Sequence, residues 1–168
     1  MSLTRDDHET LQWLRDRAEI GDLIRKYSYG TDGRDFDMLK SIFADEFVCD
    51  YGPLGTFESW AAFQAFAQAT LWTFPMTQHV TVNELIEVEG DRATAVFYGR
   101  NALQMPSGDG VKLVRTGAKY HQELARTAAG WKVTKHVCIP LWNDDQGGVA
   151  SGEMMNSMAQ RFEDARPT

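Results

Sequence analysis

The first part of the chain repeats apolar residues every three to four positions, which is the spacing of amphipathic helices. The apolar positions of the first helix are Leu11, Leu14, Ala18, Ile20, Leu23, Ile24 and Tyr27. Thr4 followed by Asp7 predicts its start, because a hydroxyl cap and an early acid favour a helix N-terminus, and Gly30 and Gly33 predict its end. Two shorter helices are predicted next, with apolar positions at Phe36, Leu39, Ile42 and Phe43, and at Trp60, Phe63, Phe66 and Ala67.

Beyond Pro75 the apolar spacing changes to every second residue, which predicts strands. The predicted strands span 79–88, 93–103, 111–125 and 131–141, and each joint between them contains glycine, as hairpin turns favour. A short strand is also predicted at 47–51, before the third helix. In the strand from residue 79, the apolar parity consists of Val80, Val82, Ile86 and Val88, and the other parity of His79, Thr81, Asn83 and Leu85.

Helices followed by a meander of hairpins predict an α+β fold in which a curved antiparallel sheet packs against the N-terminal helices. A curved sheet that its helices do not fill leaves a funnel, where pockets form. We expect one domain over residues 1–168, with a core at about 10–145 and a C-terminal helix or lid over 151–165. The lid segment contains Met154, Met155, Met158 and Phe162, which favours an apolar cover over the pocket or a subunit contact.

Charge and composition narrow the possible partners. The net charge of −7 argues against nucleic acid or an anionic membrane surface, since both require clustered Lys and Arg. No stretch approaches the ~20 apolar residues that cross a bilayer, and the N-terminus lacks the apolar segment of a secretory signal. The two cysteines, Cys49 and Cys138, lie in apolar strand segments. We therefore expect a cytoplasmic protein with reduced, buried thiols.

Asp32 and His79 are the first candidates for chemistry. Asp32 lies at the polar end of the first helix, and His79 opens a strand whose other parity is apolar. A carboxylate that holds an imidazole in one tautomer makes a general acid/base. Asp32 could instead be a solvated residue past a helix end, and His79 could face water. The series of His79, Thr81 and Asn83 suits a semi-polar interior better than a solvated face, which makes Asn83 a candidate substrate-binding residue.

Further candidates carry aromatic rings or positive charge. Tyr27 and Tyr51 are either core tyrosines or hydrogen-bond donors in a pocket. The other candidate substrate-binding residues are Tyr98, Arg115, Lys119 and Trp142. An interior cation would suit an anionic or carbonyl-bearing ligand, although a solvated outer face is the alternative for both cations, and packing would also explain the tryptophan.

The sequence lacks the patterns of several other chemistries. Asp32, Asp35 and Asp37 do not have calcium-loop spacing, because the glycine and the distant glutamate are missing. The histidines are too scattered for a zinc site, so no metal is expected. There is no glycine-rich phosphate loop and no Gly-x-Ser-x-Gly elbow, which argues against nucleotide-dependent and serine-hydrolase chemistry.

Four separated motifs resemble one family. They are Tyr27 to Asp32 followed by Gly-Arg-Asp-Phe-Asp, then Asp50-Tyr51-Gly, Thr77-Gln-His79, and Gly130-Trp131-Lys-Val. Together with the order of elements, they resemble the SnoaL-like group of the nuclear-transport-factor-two-like superfamily, whose domains are cone-shaped and α+β. The resemblance covers about Arg17 to Trp142 and implies that the whole chain is a single SnoaL-like domain.

Within that group the chain is similar to scytalone dehydratase, hexachlorocyclohexane dehydrochlorinase and bile-acid 7α-dehydratase. The resemblance implies that Asp32 and His79 form an acid/base dyad deep in the cone, and that Tyr27 and Tyr51 are catalytic tyrosines. The chain departs from scytalone dehydratase at Thr31, where that enzyme has tyrosine, and near Ser107 and Lys119, where it has histidine and asparagine. Scytalone itself is therefore not the expected substrate.

These features predict a cofactor-independent lyase of the dehydratase or polyketide-cyclase type, acting on a small, hydrophobic, cyclic compound. Because an open sheet face needs covering, a homodimer or homotrimer is expected. Two alternatives stay open, namely a non-catalytic domain that binds a small ligand and a small structural subunit of a ring-hydroxylating oxygenase. The fold by itself does not choose among them.

Overall fold

The computed structural model describes residues 4–144 and contains three helices, a single 3-10 turn and six strands. The helices are α1 (Arg5–Gly33), α2 (Phe36–Ile42) and α3 (Trp60–Leu71), and the 3-10 turn is Gly52–Leu54. The strands are β1 (Phe43–Asp50), β2 (Thr56–Phe57), β3 (Thr77–Glu89), β4 (Arg92–Ser107), β5 (Gly110–Thr127) and β6 (Gly130–Asp144). The predicted α+β class is confirmed, and the predicted segment 151–165 lies outside the described residues.

The helix boundaries follow the predicted signals. Thr4 caps α1 by accepting from the Asp7 backbone, and the Asp7 carboxylate accepts from the Thr4 backbone in return. The side chains of Asp35 and Ser59 cap α2 and α3 by accepting from the backbone N–H groups of Met38 and Ala62. Phe43 was predicted on the second helix but begins β1, since its backbone is already extended. No helix among residues 4–144 is long and apolar enough to cross a membrane.

The six strands form one sheet in the order β2-β1-β6-β5-β4-β3. The predicted meander is confirmed, because β3, β4, β5 and β6 pair antiparallel in sequence order. The first strand departs from this antiparallel pattern, because β1 pairs parallel with β6 and places Cys49 beside His136. The chain leaves β1, completes the meander and returns beside β1 in the same direction, so the sheet is mixed.

A β-bulge changes which side of β3 faces the helices. The pairing with β4 shifts between Val82 and Leu85, and Asn83 adopts a left-handed backbone with φ of 58°. Val80 is consequently 44% exposed, whereas Ile86 is 5% exposed and packs in the core. The prediction that both belong to one apolar face was wrong, because the bulge reverses the alternation between them.

The core lies between α1 and the inner face of the sheet. Ile20, Ile24 and Tyr27 of α1 are buried in one cluster with Phe97 and Tyr120 of the sheet. Leu11 and Leu14 were predicted to continue the core-facing stripe, but both are half exposed, and the residue that this part of α1 buries is Asp16.

The middle of α1 is attached to the sheet by an ion pair. Arg126 donates two hydrogen bonds to the Asp16 carboxylate, each 2.7 Å long, and the Trp131 indole donates a third at 3.0 Å. The Asp16 side chain is only 3% exposed. The C-terminal end of α1, about four turns further along the helix, reaches the start of β3 and forms the site described next.

Candidate active site

Asp32, in the last turn of α1, accepts three hydrogen bonds from the start of β3. The Thr77 hydroxyl donates at 2.9 Å, the His79 backbone N–H at 2.7 Å and the His79 ring nitrogen Nδ1 at 2.6 Å. The structure therefore brings the first two candidates into direct contact. His79 and Asp32 are also mostly enclosed, with side chains 13% and 25% exposed.

The position of β3 explains why a carboxylate is found here. It is the edge strand of the sheet, so its outward-facing N–H groups have no neighbouring strand to bond. Asp32 accepts from one of these groups, that of His79, and the same carboxylate binds the His79 ring. The Asp32 carboxylate thus both attaches α1 to the sheet edge and orients the imidazole of His79.

The electrostatics assign the tautomer of His79. Partial burial acts to raise the pKa of Asp32, but the hydrogen bonds from the His79 side chain and backbone and from Thr77 outweigh it, so that the pKa lies below its ordinary value. An ionised carboxylate only accepts hydrogen bonds, so Nδ1 of His79 carries the proton. In the neutral ring, Nε2 then has a free lone pair and can act as a base.

His79 lines a cavity of about 260 Å³ between α1, α3 and the sheet. Its apolar walls include Leu39, Phe63, Phe66, Leu71, Phe74 and Leu103. Among the described residues that line it, none is Lys, Arg, Asp or Glu. Leu54 lies at the rim and is exposed. The cavity therefore suits a small, uncharged, mostly apolar ligand.

Three tyrosine side chains bring hydroxyl groups to the cavity. The hydroxyls of Tyr27 and Tyr51, both candidates, are 2.6 Å apart and hydrogen-bonded. Tyr120 is the third, and it also lines the cavity. Burial raises the pKa of each far above the usual tyrosine value, so all three stay protonated and can donate hydrogen bonds.

The sequence analysis did not identify Tyr120 as a site residue. Tyr120 and Leu124 share the inward parity of β5, which is a signal that Tyr120 faces the core. Gln122, between them, is polar and looks like a solvated position, which hides this signal. Gln122 is in fact buried and bonds Nδ1 of His136 at 3.0 Å. His136 is fully enclosed, and its burial lowers its pKa to about 3, so the ring is a neutral core residue beneath the tyrosines.

The remaining candidates do not join this cavity. Asn83 lies in the bulge of β3, beyond the segment that faces the cavity. Tyr98 is on the exposed parity of β4, opposite in direction to the buried Phe97, and Lys119 pairs with Tyr98 on the same outer face. Arg115 shares the parity of Lys119, and its guanidinium pairs with Asp144 at 3.5 Å. The structure thus places all four away from His79.

Trp142 lies on this outer face as well. It pairs with Gly117, and a Cβ atom at that glycine would come within 2.1 Å of the indole nitrogen, so only glycine leaves room for the ring. The tryptophan covers the outside of the sheet and does not line the cavity. No cluster of three or more His, Cys, Asp or Glu side chains within residues 4–144 could hold a metal ion.

Comparisons with known proteins agree on the type of domain. A sequence model of the SnoaL-like domain matches residues 12–137. An uncharacterized protein of Mycobacterium tuberculosis is 29% identical over 125 residues, covering 74% of this chain and 84% of the relative.

Among solved structures, a hexachlorocyclohexane dehydrochlorinase (LinA, type 2) superposes with a TM-score of 0.75 at 24% identity, covering 85% of this chain and 99% of the other. A nuclear-transport-factor-two-like protein with a cystatin-like fold from Novosphingobium aromaticivorans gives a TM-score of 0.72 at 22% identity, with coverage of 92% and 98%. A putative scytalone dehydratase from the same organism gives 0.70 at 17% identity, with coverage of 84% and 92%. These similarities show the fold, which is the one that the sequence motifs predicted.

Proposed function

This chain belongs to the SnoaL-like domain family, and from that premise we propose that it is a cofactor-independent lyase of the dehydratase type that acts on a small, neutral, cyclic compound. One observation carries the proposal. Nδ1 of His79 donates to Asp32 at 2.6 Å, while the ring lines an apolar cavity together with three protonated tyrosines. The hexachlorocyclohexane dehydrochlorinase and the putative scytalone dehydratase are named for eliminations, which is consistent with this class.

In the proposed reaction, Nε2 of neutral His79 removes a proton from a carbon of the substrate. Asp32 stabilises the imidazolium that forms, because its carboxylate is ionised and already accepts from Nδ1. The electron pair left on carbon forms the new double bond as the bond to the leaving hydroxyl breaks. The imidazolium returns the proton to the departing oxygen, so that water leaves and His79 is neutral again.

The tyrosine hydroxyls would bind the oxygen on which negative charge develops. Tyr27 and Tyr51 bond one another, so one proton of the pair is used between them and the other remains for the ligand. Neutral hydroxyls stabilise an enolate or a departing hydroxyl by donating hydrogen bonds to it. They do not carry the positive charge that would bind the carboxylate of an acidic substrate. Since no cation lines the cavity among the described residues, acidic substrates are not expected.

Hydrogen–deuterium exchange of 2-tetralone in D₂O tests the proton-abstraction step directly. This neutral bicyclic ketone has acidic protons beside its carbonyl, and NMR follows their replacement by deuterium without requiring the natural substrate. We expect catalysed exchange by the wild-type chain and a loss of roughly 100-fold or more in His79→Ala, in keeping with the usual contribution of a general base. His79→Gln should not rescue it, because an amide cannot take up the proton.

His121→Ala is the matched control, since that histidine lies on the outer face of the sheet. Exchange rates that are the same in the wild-type chain and in both His79 variants would refute the acid/base assignment. Binding of 2-tetralone with no exchange would instead support the alternative of a ligand-binding domain without turnover.

We also propose that the chain self-associates through the outer face of the sheet. Val80, Leu85, Tyr98 and Trp142 are large apolar or aromatic residues that are exposed there. Exposed apolar groups of this size on one sheet face favour an interface between subunits. Sedimentation velocity of the wild-type chain and of Val80→Lys tests this, and an unchanged monomer in both would contradict it.

A further inference from the structure

The link from α3 to β3, residues 72–76, is attached at both of its ends to the turn that contains Asp32 and Arg34. After the link, Asp32 binds Thr77 and His79. Before and within the link, Arg34 donates from Nη2 to the carbonyl oxygens of Leu71, at 3.2 Å, and Phe74, at 2.6 Å. The turn that positions the acid/base pair therefore also holds the wall of the cavity, because Leu71 and Phe74 both line it.

Arg34 acts as a C-terminal cap of α3 that another element supplies. Its guanidinium meets carbonyl groups at the end of that helix, where the helix dipole favours positive charge, and it lies 5.1 Å from the centre of the Trp72 ring. Within residues 4–144 no carboxylate forms a salt bridge with it. In the part of the chain that the structure describes, the guanidinium contacts the end of α3 and the link.

One feature works against the attached state. The left-handed backbone of Arg34, with φ of 53°, is not that feature, because it forms the C-terminal cap of α1 and does not depend on where the side chain of Arg34 lies. The Nε–H of Arg34 is buried and has no hydrogen-bond partner, which disfavours this arrangement compared with a hydrated one. Because water would satisfy this N–H, the unpaired group makes detachment of the Arg34 side chain more accessible.

We propose that Arg34 is a positioning residue that latches the cavity wall, and that its release from the Leu71 and Phe74 carbonyls opens the route by which ligand enters. Phe74 and Leu71 would move away from His79 when the latch opens, while Asp32 keeps the start of β3 in place. The proposal rests on the proposed function only in taking this cavity as the ligand site.

Solvent exchange of the link amides tests the latch without any ligand. The amides of Trp72, Thr73 and Phe74 each bond a carbonyl three or four residues earlier, so their protection reports whether the wall is held. We expect Arg34→Met to speed their exchange about tenfold and to leave the amides of β3 unchanged. Arg34→Gly should do the same with undiminished folding, because glycine adopts the left-handed conformation freely.

The matched control is Arg25→Met, which removes an exposed arginine of α1 that pairs with Asp22. Unchanged exchange at the three link amides in both Arg34 variants would overturn the latch. Faster exchange spread through α1 and β3 would overturn it as well, since that result describes a general loss of structure.

Stopped-flow binding of 2-naphthol, a neutral fluorescent bicyclic phenol, tests the consequence for entry. Release of a latch should raise the association and dissociation rates together, by about fivefold, with the dissociation constant nearly unchanged. Rates equal to those of the wild-type chain would refute the role in access. If the wild-type chain does not bind 2-naphthol, the proposed ligand class fails, and the amide exchange alone then decides whether the latch exists.

Discussion

Asp16 and Asp32 are two carboxylates of one helix, each bound by three hydrogen bonds from other parts of the chain, yet their surroundings give them different roles. Asp16 accepts two bonds from a guanidinium and one from an indole. Asp32 accepts one from a hydroxyl, one from a backbone N–H and one from an imidazole. The first set of partners has no further reactive atom, whereas the imidazole presents a second nitrogen to a cavity.

The comparison shows that a perturbed pKa alone does not identify an active site. The pKa of Asp16 is lowered to about 2, chiefly by its hydrogen bonds with Arg126, and that carboxylate serves the fold. The pKa of Asp32 is also lowered, against the opposing effect of burial. What distinguishes the two sites is the chemistry of the partner, because an imidazole has a second ring nitrogen that can accept a proton, whereas a guanidinium and an indole only donate.

Asp32→Asn should separate catalysis from stability most strongly. The amide that this substitution introduces would donate to Nδ1 of His79, which shifts the ring proton to Nε2 and removes the lone pair that acts as base. We expect exchange of 2-tetralone to fall by about 100-fold or more. The stability loss should be only about 1–2 kcal/mol, because the contact site is partly exposed and one acceptor oxygen remains.

Activity and urea unfolding of the same preparation measure the two effects of Asp32→Asn. Near-normal exchange in a folded variant would show that Asp32 serves only to attach β3, and the comparison with Asp16 would then lose its basis.

Asp16→Asn should show the opposite pattern. The substitution leaves Arg126 without its anionic partner and turns an amide N–H₂ toward other donors, so we expect a loss of about 3 kcal/mol in the free energy of unfolding. Exchange of 2-tetralone per folded molecule should stay within about twofold of the wild-type rate. Urea unfolding at neutral pH measures the first quantity. An unchanged midpoint would mean that the ion pair contributes nothing to the fold.

The fold and the central contact could be predicted from the sequence because they depend on local signals. Helix caps, the change from helical to alternating spacing and glycine at the turns define most elements. Asp32 and His79 stand in separate motifs, and the structure places them 2.6 Å apart. Tyr27 and Tyr51 likewise meet through their hydroxyls.

The other candidate positions depended on knowing which side of each strand faces the helices. Asn83 takes a left-handed conformation and creates the bulge, which no spacing of residues reveals. Tyr98 and Lys119 lie on the outer face of the sheet. The sequence does not reveal this, because several inward positions of their strands are alanine, glycine or glutamine, which do not look like core residues. The Arg34 contacts join segments far apart in sequence and leave no local pattern.

The pH dependence of stability provides the finest test of the comparison. The pKa of Asp16 is lowered from 3.8 in the unfolded chain to about 2 in the fold, so its contribution to stability is fully present above about pH 4 and is lost as the pH falls toward 2. By pH 3 the loss amounts to about 1 kcal/mol, given 1.36 kcal/mol for each pKa unit.

Asp16→Asn cannot titrate at this position, so its difference from the wild-type chain isolates the effect. Buried His136 destabilises both chains equally as the pH falls below 6.5, since burial lowers its pKa to about 3, and it cancels in the difference. The difference in the free energy of unfolding between the wild-type chain and Asp16→Asn should therefore decrease by about 1 kcal/mol between pH 5 and pH 3. A gap of constant size over that interval would show that Asp16 is bound no more tightly as an anion than as an acid, and that its ion pair with Arg126 does not stabilise the fold.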